Sequence, residues 1–140
     1  MSIWHHEPTI EALEQLHKGT MVETLGIEIT EIGPDYLTGR MPVDHRTIQP
    51  WRILHGGASV TLAETLGSVS AALCTDQSKV RVVGQEINAN HIRAVQEGWV
   101  TGTARPVHLG RRSQVWAIEI VDERGKLVCI SRLTIAVVAI

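Results

Sequence analysis

The 140-residue sequence has no basic cluster longer than the pair Arg111-Arg112, and its formal net charge is −2. It lacks the footprint with which proteins neutralise phosphates along a nucleic acid, so no nucleic-acid partner is expected. No apolar run approaches the ~20 residues of a membrane span, and the opening Met1-Ser-Ile-Trp-His-His-Glu7 lacks the basic-then-apolar order of a signal peptide. A membrane role is therefore not expected, and the cytoplasm is the expected compartment. Cysteine is scarce. Cys74 lies in an apolar helical stretch and Cys129 in an apolar strand, far apart and without Cys-x-x-Cys spacing, so both should be buried free thiols. The seven histidines include no His-x-x-x-His or His/Cys pair with ligand spacing on one face, and no metal is expected. His5, His6 and His17 read as surface residues. The four tryptophans are scattered, as core or interface residues are, and form no base-stacking platform.

What is present is a globular composition, 44% hydrophobic and 20% charged, in a chain long enough for one core. No repeat, low-complexity tract or linker interrupts residues 1–140, which read as a single domain. Thr9 can cap a first helix through Ile10, Leu13 and Leu16, stopped by Gly19. An apolar turn (Met21, Val22, Leu25, Gly26) precedes a period-two stretch from Ile27 to Gly33. Pro34-Asp35 then turns the chain into a second strand, Tyr36 to Val43. A polar loop, Asp44 to Trp51, leads to a proline-free helix from Gly56 to Cys74. Strand-like segments follow at Val80–Arg93, Trp99–Arg105 and Gln114–Val121. Asp122-Glu-Arg-Gly125 is a hairpin turn into a last strand, Leu127–Val138. Helices do not alternate with strands, which leaves an antiparallel α+β layer rather than a doubly wound sheet.

The long helix carries the chemistry. At 100° per residue Ala58, Leu62, Thr65, Leu66, Val69 and Leu73 share the stripe a sheet would cover, yet the opposite side offers Val60, Ala63, Gly67, Ser70 and Ala71 instead of charges. The helix therefore reads as buried nearly all round, by its own sheet and by a second subunit. Besides Cys74 its only ionisable side chain is Glu64, on a narrow face with Gly57, Thr61 and Ser68. An unpaired buried carboxylate costs several kcal/mol, so Glu64 is either paired, as to an arginine from a strand, or protonated, or kept for use. Hydroxyls and glycines around it, with no Arg or Lys nearby in sequence, suit a substrate cleft. Leu54-His-Gly-Gly-Ala58 at the helix start is either a tight loop-to-helix turn or an oxyanion site made of unpaired amides.

Four ordered segments carry a resemblance: Gln49-Pro-Trp-Arg-Ile-Leu-His-Gly-Gly-Ala-Ser59, Ala63-Glu-Thr-Leu-Gly-Ser68, Val83-Gly-Gln-Glu-Ile-Asn-Ala-Asn-His91 and His108-Leu-Gly-Arg111. The sequence resembles, over essentially its whole length, the hotdog-fold thioesterases of the Arthrobacter-type 4-hydroxybenzoyl-CoA thioesterase family. The resemblance implies a hotdog fold, α+β, with a curved antiparallel sheet wrapped around the long central helix. It implies an acyl-CoA thioesterase that needs no cofactor, with aromatic acyl groups the nearest substrates and an acyl carrier protein as a second possible donor. By the same resemblance Glu64 is the catalytic nucleophile or general base, and the Gly56 amide polarises the thioester carbonyl. Gln49 and His55 orient the thioester, and Ser68 holds the hydrolytic water. Gly84, His91, Ile92, Arg93, Ala94 and the run His108, Leu109, Gly110, Arg111, Arg112, Ser113 receive coenzyme A, whose phosphates suit the arginines. It further implies a homo-oligomer, a dimer or dimer of dimers, with sites shared between subunits.

One pair departs from the pattern. Relatives commonly carry Phe-Gly where this chain has Trp51-Arg52, so the acyl specificity of a relative does not transfer directly; Arg52 reads as a solvated loop residue. Two other readings fit a hotdog domain: a hydratase or dehydratase using His55 with Glu64 on carbon, and a non-catalytic acyl-CoA binding module. The His-Gly-Gly context and Gln49 favour hydrolysis.

Overall fold

The computed structural model describes all 140 residues. Thr9 caps the first helix, α1 (Ile10–His17), its hydroxyl accepting from the Ala12 amide at 3.2 Å. Leu13 is the one residue of α1 turned fully inward. The apolar turn after Gly19 closes as a single helical turn, α2 (Met21–Thr24). The first hairpin is β1 (Glu28–Ile32) and β2 (Leu37–Val43), and the long helix is α3 (Gly56–Leu73). Four separate strands follow: β3 (Val80–His91), β4 (Gly98–Leu109), β5 (Ser113–Val121) and β6 (Leu127–Ala139). β4 runs past the Arg105 expected as its end, because Pro106 lies at a register shift and so need not supply a ladder donor.

All six strands form one antiparallel sheet in the order β1-β2-β4-β5-β6-β3. The chain leaves β2, crosses through α3 to the far edge, and fills the gap with β4, β5 and β6. Alternation points Gln114, Trp116, Ile118 and Ile120 of β5 into the core, where Leu62 and Leu66 of α3 are also fully buried. Each fully buried Leu or Ile side chain among them contributes about 1.5–3 kcal/mol. The N-terminal segment is tied to the β1–β2 turn by the Trp4 indole, which donates to the Gly33 carbonyl at 2.8 Å, and to the end of α3 by the His5 amide, which donates to the Leu73 carbonyl. Both cysteines are free; burial pushes the partly buried Cys74 thiol up to about 11 and raises that of fully buried Cys129. No helix is long and apolar enough to cross a membrane.

The helix is rotated from the orientation its large residues imply. Ala58, Ser59, Leu62, Ala63, Leu66, Gly67, Ser70 and Ala71 are the buried residues, whereas Thr65 and Val69, expected against the sheet, lie partly exposed on the outer side with Val60, Glu64 and Ser68. Close approach is the reason. Gly39 and Gly102 are direct partners across β2 and β4, and Leu66 fills the dent between them. A Cβ on Gly39 would stand 2.8 Å from Leu66 Cδ2 and 2.9 Å from the Glu28 carbonyl oxygen, and one on Gly102 would stand 2.9 Å from Leu66 Cδ1. Small side chains thus face the sheet because only they let the backbones come this near.

Gly39→Val is therefore expected to destabilise the fold by about 1–3 kcal/mol through overpacking against Leu66 and the β1 backbone. Urea denaturation checks it, and a midpoint within error of the parent's would overturn the close-contact account.

Candidate active site

The turn entering α3 is built around His55. Its Nδ1 accepts from the Gly57 amide at 2.8 Å, capping the helix, so Nδ1 is unprotonated and the neutral ring carries its proton on Nε2. The His55 carbonyl takes the Ala58 and Ser59 amides. The Gly56 amide, first of the helix, has no acceptor in the chain. A Cβ on Gly56 would lie 2.7 Å from Nε2 of the exposed His91, whose ring would have to move aside. Gln49 is set in the preceding loop by its amide donating to the Ile53 carbonyl at 2.9 Å, while its side-chain oxygen accepts from the Trp51 amide. That bond fixes the side chain so that its NH₂ remains free to donate. Gln49, Gly56, His91, Ile92, Arg93 and Ala94 line one cavity of about 310 Å³.

Glu64 and Ser68 stand elsewhere. Together with Val60, Thr61, Thr65 and Val69 they form the α3 wall of a larger cavity of about 490 Å³, whose other wall is His17, Met21 and Val22 from α1 and α2. Glu64 is only partly buried and enters none of the six ion pairs, so neither full burial nor pairing to a strand arginine describes it. Gly84, expected to contact coenzyme A, lies against this carboxylate: a Cβ there would be 3.3 Å from Glu64 Oε1.

The sequence-predicted site thus divides into two groups within the chain. Glu64, Ser68 and Gly84 form one. The tight β4–β5 turn, in which the Gly110 amide donates to the Ser113 carbonyl, belongs to the same end of the sheet, because Ser113 pairs with Ala136 and Val83 pairs with Ala136 from the other side. Gln49, His55, Gly56 and His91–Ala94 form the second. From Gly84 to His91 along β3 is about 23 Å at ~3.3 Å per residue. Arg111 and Arg112 are exposed at the turn, while Arg93 shares a cavity of about 450 Å³ with Glu97, Asp122 and Glu123.

Sequence reading missed the second wall of the Glu64 cavity. His17, expected at the surface, is half-buried there, and burial lowers its pKa from the ordinary histidine value. The spacing of α1 alone carried no signal for this, since it depends on where α1, packed against β1, leaves His17 relative to α3.

A six-stranded antiparallel sheet packed around one long helix is the architecture of a hotdog domain. The chain belongs to the thioesterase superfamily, whose family model matches residues 52–129. It is 55% identical over 96% of its length to the 1,4-dihydroxy-2-naphthoyl-CoA hydrolase of Escherichia coli K12, covering 98% of that protein. It is 54% identical over 96% of its length to the proofreading thioesterase EntH of Cronobacter turicensis, again covering 98%. A crystallised glutamine-to-alanine variant of a Pseudomonas aeruginosa thioesterase superposes with a TM-score of 0.98 at 47% identity, over 99% of this chain and 100% of that one. The protein is a thioester hydrolase.

The Trp51-Arg52 departure has a conformational cost. Arg52 is the only non-glycine residue with positive φ, at 66°, in a turn closed by its amide donating to the Gln49 carbonyl at 2.8 Å. An L side chain in this left-handed region costs about 1–2 kcal/mol, and the Arg52 side chain makes no ion pair in return. Arg52→Gly is expected to stabilise the protein by roughly 0.5–1 kcal/mol, the relief exceeding the added entropy of an unfolded glycine. Thermal melting of the two proteins reads this directly; a lower midpoint for the glycine variant would show that the arginine is held by a contact that outweighs the strain.

Proposed function

We propose that the chain hydrolyses aromatic acyl-CoA thioesters as a homo-oligomer, each active site being completed by two subunits. The separation of the two groups carries this reading. The Gly56 amide and Glu64 are eight residues apart on α3, about 12 Å along the axis at ~1.5 Å per residue. A carbonyl polarised by one and attacked with the help of the other needs both within ~3 Å of its atoms. A two-fold partner resolves this, because an isologous interface lays the Glu64 group of one subunit against the Gln49–Gly56 group of the other. β3 is an unpaired edge of twelve residues, which suits such a partner.

In this arrangement the thioester oxygen accepts from the Gly56 amide and the Gln49 NH₂ of one subunit. Glu64 of the other attacks the carbonyl carbon to give an anhydride that water then opens, or takes the proton of a water held by Ser68 as that water attacks. Either way the C–S bond breaks, coenzyme A leaves as thiolate and takes up the proton, and the acyl group is released as its acid. Arg111 and Arg112, free of acidic neighbours in the ion-pair set, suit the coenzyme's phosphates better than Arg93 does. A carrier protein presents the same thioester on the same kind of arm and is the alternative donor. Met21, Val22, Val60 and Val69 make the Glu64 cavity apolar enough for a ring.

Burial of a ring in place of a methyl group should supply a few kcal/mol, so kcat/KM for benzoyl- or hydroxybenzoyl-CoA is expected to exceed that for acetyl-CoA by about a hundredfold or more. Thiol release measured on both substrates tests it, and equal turnover of acetyl-CoA would remove the aromatic specificity.

Subunit sharing is tested by complementation. Glu64→Ala and Gln49→Ala homo-oligomers should each be strongly impaired, Glu64→Ala by about a hundred- to ten-thousandfold because the reacting group is gone. Unfolded and refolded together, they should regain activity. Random pairing makes about half the dimers mixed, each with one intact site of two, so recovery approaches about one quarter of the unmodified enzyme. Recovery no greater than the sum of the parents, with mixing verified by mass, would place each whole site within one chain.

A further inference from the structure

The Glu64 cavity has a polar group on its far wall for which the chemistry at the thioester has no use. On the α3 wall, the Thr61 hydroxyl is already committed, donating to the Gly57 carbonyl at 2.9 Å. Ser68 and Glu64 serve the reacting carbon in the function proposed above, and Thr65 adjoins Glu64 in sequence on the same helix. His17 alone among the polar lining residues comes from the α1 side. Its carbonyl is taken by the Thr20 amide and hydroxyl, but its ring makes no hydrogen bond and no ion pair. Within this cavity Met21 and Val22 beside it supply apolar surface, while on its other side His17 borders a second cavity with Glu14, Lys18, Glu23 and Glu28, none of which pairs with the ring. An unpaired ring at a half-buried position gives up hydration unless a ligand replaces it. Burial also favours the neutral imidazole, which offers one donor and one acceptor nitrogen and so suits a hydroxyl rather than a carboxylate.

We propose that His17 is a specificity-determining residue that hydrogen-bonds a hydroxyl on the acyl ring, at the end of the cavity away from the reacting carbonyl. This rests on the reading of the Glu64 cavity as the acyl pocket. His17 touches the part of the substrate that does not react, so its loss alters the choice among acyl groups and leaves the thioester chemistry intact.

The experiment compares benzoyl-CoA with its ortho-, meta- and para-hydroxy derivatives on the full-length enzyme and on His17→Leu, His17→Ala and His17→Gln. In the unmodified enzyme at least one hydroxylated isomer should exceed benzoyl-CoA in kcat/KM. Loss of one substrate hydrogen bond should lower that isomer's kcat/KM advantage over benzoyl-CoA about tenfold in His17→Leu and His17→Ala. His17→Gln, which keeps a donor and an acceptor, should recover part of it. No preference for any hydroxylated isomer in the unmodified enzyme, an unchanged ratio in both truncations, or a parallel fall on all substrates would each overturn the assignment. Turnover of benzoyl-CoA by the unmodified enzyme reports separately on the parent reading; its absence would overturn both.

Discussion

The seating of α3 in its sheet is the constraint on which the rest depends. Leu66 lies over Gly39 and Gly102, paired across β2 and β4, and Gly67 turns its bare face to Leu133, where a Cβ would stand 2.6 Å from Cδ2. Those contacts let the helix approach in one rotation only, because side chains larger than hydrogen at these points would lift it away. That rotation carries Thr61, Glu64, Thr65 and Ser68 to the outer side, where the same helix that anchors the core presents its one carboxylate to a cavity. Core packing and site geometry are thus one interaction seen from two sides of the helix.

The same helix also sets the distance between the two halves of the chemistry. Its N-terminus supplies the free Gly56 amide and its third turn supplies Glu64, and the rigidity of an α-helix keeps them apart whatever the loops do. The sheet repeats the division: His91–Ala94 lie at one end of β3 and Gly84 with the β4–β5 turn at the other. The expected site residues lie in two places within one chain, and both rigid elements agree on the split. In the two-fold arrangement proposed above, this separation would become two complete sites.

Local rules made most of the elements legible in the sequence. The Thr9 cap, the alternation in β1 and β5, the Asp122–Gly125 turn and the proline-free run of α3 each rest on neighbours within a few residues, and each stands as expected apart from small shifts at the ends. The extension of β4 beyond Pro106 needed the bulge, which is a property of the β4–β5 pair and not of either strand alone. The rotation of α3 was misjudged because a hydrophobicity stripe weighs large side chains, whereas here glycines on the facing strands and small residues on the helix decide the contact. His17 and the left-handed Arg52 were invisible for a related reason. One depends on where α1 docks, the other on a backbone angle that its side chain disfavours.

Glu64 shows how a conflict posed by the sequence is settled in three dimensions. A carboxylate on a helix apolar or small-sided nearly all round would, if fully enclosed, bear a desolvation cost of several kcal/mol. In the folded chain it is spared that cost by standing partly exposed at the wall of an open cavity, against the Cα of Gly84, where no side chain covers it. In the arrangement proposed above, the cost would fall when a substrate and a facing subunit displace the water, and burial of the acyl group would supply the energy; the fold itself carries no cationic partner for Glu64. A permanent arginine partner would make the carboxylate cheaper to bury and a weaker base or nucleophile; a face of hydroxyls and glycine suits the role proposed for Glu64.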